Sequence, residues 1–71
     1  MNIESDVAGS VIHVHVSVGD VIEAGASVAS IESMKMEIPI TTSTAGTVES
    51  ISVEPGQAVS RGDCVAVLRD E

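Results

Sequence analysis

The chain repeats itself. Residues 3–34 lie on residues 40–71 at a constant offset of 37 without a gap, which pairs 32 positions. Nine pairs are identical: Ile3/Ile40, Ala8/Ala45, Gly9/Gly46, Val11/Val48, Val16/Val53, Gly19/Gly56, Gly25/Gly62, Val28/Val65 and Ala29/Ala66. Val14/Ile51, Ile22/Val59 and Ile31/Leu68 add apolar matches. Self-similarity of this kind decides architecture before any local reading. The matched glycines read as shared turns, where only Gly takes a positive φ without steric cost. Val18-Gly19-Asp20 goes with Pro55-Gly56-Gln57, Ala24-Gly25-Ala26 with Arg61-Gly62-Asp63, and Ala8-Gly9 with Ala45-Gly46.

Short segments lie between these turns. Val14, Val16 and Val18 alternate with His13, His15 and Ser17, the period of a strand with one buried face, and Ile51 and Val53 repeat the pattern. The spacing predicts four strands per half, near 3–6, 10–17, 21–23 and 27–33, with the same set shifted by 37. Phe, Tyr and Trp are absent, so the core falls to Val, Ile and Ala with a little Leu and Met, which is strand material. Either half alone would leave an apolar face in water, so the halves are expected to pack face to face about a pseudo-twofold axis. The expected fold is all-β: a flattened antiparallel β-sandwich or barrel of about eight short strands, one domain over residues 1–71. A chain of this length has little room for an active-site cleft.

Composition narrows the function. Eleven carboxylates against Lys35, Arg61 and Arg69 give a formal charge of -8, which argues against a basic face for nucleic acid or anionic lipid. No apolar run approaches the roughly 18 residues of a membrane span, and the acidic start, Met1 to Asp6, is unlike a basic signal region. A lone cysteine, Cys64, makes no internal disulfide, which fits a reducing, cytoplasmic setting. The acidity serves solubility, or complements a basic patch on a partner.

Lys35 is the only lysine, and it stands inside Glu32-Ser33-Met34-Lys35-Met36-Glu37 at the middle of the chain. The flanks, Val28 to Ser33 and Ile38 to Thr42, are rich in strand formers, so a tight hairpin with Lys35 at its tip is expected. A lysine that serves as a nucleophilic catalyst is desolvated or set beside another cation. Neither is in view here, so Lys35 reads as an acceptor. Met34-Lys35-Met36 between two strands resembles the attachment site of biotinyl domains, the biotin carboxyl carrier family, and the resemblance covers essentially the whole chain.

That resemblance implies the biotinyl/lipoyl fold and biotin held covalently on Lys35, with Met34 and Met36 in contact with a ligase pocket or with the biotin. It implies a non-catalytic carrier, monomeric when isolated, that meets three partners. A biotin protein ligase attaches the cofactor, a biotin carboxylase uses ATP and bicarbonate to load it, and a carboxyltransferase unloads it, commonly onto an acyl-CoA as in acetyl-CoA carboxylase of fatty acid biosynthesis. No insertion follows Val16 of the kind that forms a protruding thumb in some carriers. Two alternatives stand beside this reading. Lipoyl carriers share the fold, although their modified lysine usually follows Asp and precedes Ala, and an unmodified interaction module would keep the fold without cargo.

Other features carry less. His13 and His15 share a strand face without a third ligand, which leaves a solvated face rather than a metal site. Arg61-Gly62-Asp63 spells a cell-adhesion tripeptide, but its alignment with Ala24-Gly25-Ala26 reads as a turn. Cys64 aligns with Ser27 and reads as a small structural residue. The counterpart of Lys35 falls just beyond Glu71, so the twofold puts the Lys35 hairpin and the chain termini at opposite ends.

Overall fold

The computed structural model describes residues 1–69. They contain eight strands: β1 (Asn2–Glu4), β2 (Gly9–Val14), β3 (Val21–Ile22), β4 (Ser27–Ser33), β5 (Met36–Thr41), β6 (Gly46–Ile51), β7 (Ala58–Val59) and β8 (Cys64–Arg69). Two antiparallel sheets result, in the orders β1-β8-β6-β3 and β5-β4-β2-β7, packed into a body of 35 × 18 × 18 Å. The all-β sandwich expected from the repeat is what forms.

The duplication extends to the hydrogen-bonding register. Ser10, Val11 and Val14 on β2 face Glu32, Ile31 and Ala29 on β4; 37 residues on, Thr47, Val48 and Ile51 on β6 face Arg69, Leu68 and Ala66 on β8. Even the irregularities repeat, with a shift at Ile12 in one pairing and at Glu49 in the other. The short strands follow suit, since Gly9 and Ser10 face Val59 and Ala58 while Gly46 and Thr47 face Ile22 and Val21. Between the sheets lies an aliphatic core: Ile3, Val11, Val28, Ala29, Ile31, Ile40, Val48, Val53, Val59, Val65, Ala66 and Leu68. Each Val or Ile fully buried there contributes roughly 1.5–3 kcal/mol relative to exposure. No methionine takes part in it.

Three details differ from the sequence reading. The halves are interleaved rather than stacked as separate sheets, each sheet taking two strands from residues 1–34 and two from the second half. Strand ends shift as well: β1 and its copy β5 span 2–4 and 36–41 instead of 3–6 and 40–43, and the second strand ends at Val14 and its copy at Ile51 instead of running on to 17 and 54. Beyond that point only one ladder bond persists in each copy, His15 N to Val28 O and Ser52 N to Val65 O, both 2.9 Å. The chain then bends into a turn in which the Asp20 carboxylate accepts from Ser17 N at 2.8 Å. Val16 still packs against the core, while Val18 is exposed, so the alternation outlasts the strand.

The third correction concerns Ala8-Gly9 and Ala45-Gly46, which are not turns of positive φ. Gly9 and Gly46 open β2 and β6, and the need for glycine there is one of space. A Cβ on Gly9 would press into the Glu32 carbonyl oxygen and stand 2.9 Å from Ile31 Cγ2; on Gly46 it would stand 2.6 Å from Arg69 O. The true turn glycines do match across the halves, Gly19 and Gly56 at φ 95° and 90°, and Gly25 and Gly62 at 89° and 92°. Of the eighth predicted strand, 64–70, the last residue lies outside the described residues, as does the expected counterpart of Lys35.

Candidate functional site

Six register pairs join β4 to β5, ending with Ile31/Ile38, Glu32/Glu37 and Ser33/Met36. Met34 and Lys35 alone remain to turn the chain. They do so at φ 53° and 65°, the only non-glycine residues of positive φ among the described residues. A two-residue loop with both residues in the left-handed region follows the right-handed twist of its flanking strands, which is why hairpins this tight use it. The conformation costs roughly 1–2 kcal/mol for each non-glycine residue. The paired strands on either side hold it in place.

The turn presents Lys35 at its outermost point. The side chain is exposed, and no hydrogen bond or ion pair engages it among the described residues. Met34 is 92% exposed and Met36 63%, so both thioethers stand in solvent rather than packing in the sheet. One row below, Glu32 and Glu37 are exposed and face each other directly across the strands. Like charges in that relation are mildly destabilising. The equivalent position in the second half, Arg69, instead lies 4.0 Å from Glu49 in an exposed ion pair. The hairpin thus combines one free amine, two apolar pads and a local excess of negative charge.

Further down the same sheet, His13 faces Ser30 on β4, and Ser30 faces Pro39 on β5. The His15 Nε2 to Ser30 Oγ distance is 2.8 Å, and the His13 and His15 ring centroids lie 5.8 Å apart. Ser30 is only 2% exposed, so His15 covers and satisfies a polar group that the second half replaces with Val67. No group of three or more His, Cys, Asp or Glu side chains suited to a metal ion occurs among the described residues. Cys64 is half-buried, with Ser52 Oγ at 3.7 Å and Ala66 O at 3.6 Å. Arg61-Gly62-Asp63 forms a turn in which Asp63 N donates to Ser60 O at 3.0 Å and the Asp63 carboxylate accepts from Ser60 N at 2.8 Å. A shallow groove of about 370 Å³, lined by β1 with its flanking residues Met1 and Asp6 and by the end of β5 at Thr41, includes none of the hairpin residues.

Two contributors escaped the sequence reading. Gly9 supports the site from behind, because its missing side chain lets β2 approach the carbonyl of Glu32 on β4, just ahead of the Met34-Lys35 turn. The identity of Gly9 with Gly46 carried that signal. The His15 and Ser30 pair was visible only as a mismatch, a serine where the repeat has valine.

The chain is similar to known proteins along nearly its whole length. The family model described as biotin-requiring enzyme matches residues 1–68. A biotin/lipoyl attachment protein of Bacillus subtilis (strain 168) is 43% identical over 68 residues, spanning 96% of this chain and 93% of its own length. A biotinylated protein TB7.3 homolog of Mycobacterium leprae (strain TN) is 40% identical over 67 residues, 94% of each chain. The solved urea carboxylase of Kluyveromyces lactis superposes with a TM-score of 0.92 at 35% identity, over 97% of this chain and 6% of the carboxylase.

Proposed function

The chain belongs to the biotin-requiring enzyme family of biotin/lipoyl attachment domains, and from that premise we propose that it is a biotin carboxyl carrier with Lys35 as the attachment residue. The observation that carries this reading is the hairpin itself: the only lysine of the chain, unengaged, on a two-residue turn between exposed Met34 and Met36. The residues suit the group. An amide to biotin needs an accessible primary amine, and a swinging attachment needs a firm base, which the β4–β5 ladder supplies.

When bound, biotin supplies a ureido nitrogen that takes up and releases a carboxyl group. The chain's own work is to present and position. Once a biotin protein ligase has activated the biotin carboxyl group with ATP, Lys35 Nζ would attack the carboxyl carbon, and the C–O bond to the activating nucleotide would break as the amide forms. The ligase would take the proton, since no base among the described residues engages the amine. Met34 and Met36 give flexible, polarisable contacts to the ligase and then to the arm. A biotin carboxylase and a carboxyltransferase are the partners between which the carrier moves, and weak, brief docking serves that traffic best. The likeness to a domain within urea carboxylase supports this setting.

Intact mass after incubation with biotin, ATP and a biotin protein ligase tests the proposal, with lipoate and its ligase in parallel. One biotinyl group is expected on the native chain and none on Lys35→Arg, which should melt like the parent. A lipoyl group without a biotinyl group would move the chain to lipoyl carriers. Acceptance by neither would leave an unmodified interaction module.

A further inference from the structure

The placement of sulfur in this molecule is uneven. The core holds no methionine. Met34 and Met36 stand in solvent on either side of Lys35, whereas Met1 is 45% exposed and its Sδ accepts from Thr44 Oγ1 at 2.8 Å. Cys64, at the start of β8, is half-buried, with its Sγ 3.6 Å from Ala66 O. Susceptibility of a thioether to oxidation follows its accessibility, and the sulfoxide is polar and chiral where the thioether was apolar and pliable. An oxidant acting on this protein therefore meets its most accessible sulfur beside the acceptor amine, at positions the fold does not rely on for packing.

We propose that Met34 and Met36 form a peroxide-sensitive modification site that controls acceptance of biotin at Lys35. The idea rests on Lys35 being the attachment residue. The step is a transfer of one oxygen atom: the sulfur lone pair attacks the peroxide, the O–O bond breaks, the thioether becomes a sulfoxide and the peroxide is reduced to water or an alcohol. A thiol-dependent methionine sulfoxide reductase reverses it, returning the oxygen as water while two thiols become a disulfide. The sulfoxide leaves the β4–β5 ladder intact, because neither side chain is buried in it. What changes is the recognition surface. A contact that once desolvated a thioether must now desolvate a strong dipole without a partner, an effect of the order of tenfold in rate.

The experiment treats the full chain with dilute hydrogen peroxide, locates sulfoxides by peptide mass, and measures the initial rate of biotin transfer with a biotin protein ligase. Met34 is expected to oxidise first, Met36 next and Met1 last, with an unchanged melting temperature and a biotin transfer rate about tenfold lower. Methionine sulfoxide reductase should restore the rate. The double variant Met34→Leu, Met36→Leu keeps Met1 and Cys64, and its transfer rate should be indifferent to peroxide. Unchanged transfer in the oxidised native chain overturns the proposal while leaving the carrier reading intact, and so does an equal loss in the leucine variant. Absence of transfer to the untreated native chain overturns both.

Discussion

Strand β5 meets β4 as β1 meets β8, residue for residue over the three pairs both contain. Ser30/Pro39, Ala29/Ile40 and Ser27/Thr41 become Val67/Asn2, Ala66/Ile3 and Cys64/Glu4, with the same shift beside Val28 and Val65. The Met1 ammonium even stands in the ladder, donating to Leu68 O at 2.8 Å while Leu68 N donates to Met1 O at 2.8 Å. The difference is that Met34 and Lys35 connect the first pair of strands, whereas the chain joins β1 to β8 only through all that lies between them. The architecture therefore requires the pairing and not the turn. The strained conformation of Met34 and Lys35 belongs to the connection between the strands and not to their pairing.

This contrast can be tested by changing matched positions in the two halves. Gly9→Ala and Gly46→Ala should have the largest effect, each lowering stability by roughly 1–3 kcal/mol in denaturant melts, because a backbone carbonyl blocks both added methyl groups. Only Gly9→Ala should also slow biotin transfer, since its obstacle is the Glu32 carbonyl that leads into the hairpin. His15→Ala should cost about 1–2 kcal/mol by leaving buried Ser30 without its partner. Ser52→Ala, its counterpart, should fall within about 0.5 kcal/mol, as surface changes usually do. Giving the first half the second half's residues, His15→Ser with Ser30→Val, should recover most of the loss.

Smaller effects sharpen the picture at the turn. Met34→Asn should raise stability by about 0.5 kcal/mol, since asparagine tolerates the left-handed region better. It should at the same time lower the rate of biotin transfer. Relief of the carboxylate pair by Glu37→Gln should add only a few tenths of a kcal/mol. Arg69→Gln should remove no more than that, given an exposed pair 4.0 Å apart. A larger loss there than at Glu37 would mean that the two halves carry charge for different structural reasons.

Much of this was legible because symmetry is visible in sequence. Matched glycines and valines place the turns and the core without reference to any structure, and a single lysine between two strand-forming runs marks the hairpin tip. The interleaving was not legible, since a repeat says which segments are equivalent and nothing about which of them share a sheet. The strand ends at Val14 and Ile51 were hidden for a different reason. Val16 and Val53 continue the alternation because both remain against the core after leaving the ladder. The role of Gly9 was half visible: its identity with Gly46 showed that glycine matters, but spatial crowding and positive φ give the same letter. The role of Ser30 was hidden because its partner, His15, lies fifteen residues away on another stretch of chain.

Interleaving sets an order of events during synthesis. β1 has one neighbour in its sheet, and that neighbour is β8. β1 emerges well before β8 and waits for it across the residues between them, so it pays its loop-closure entropy late. The β4–β5 hairpin needs only contiguous residues and forms on a microsecond scale once it has emerged. A nascent chain can thus shape the lysine-bearing turn well before the sheet opposite it has any means of closing.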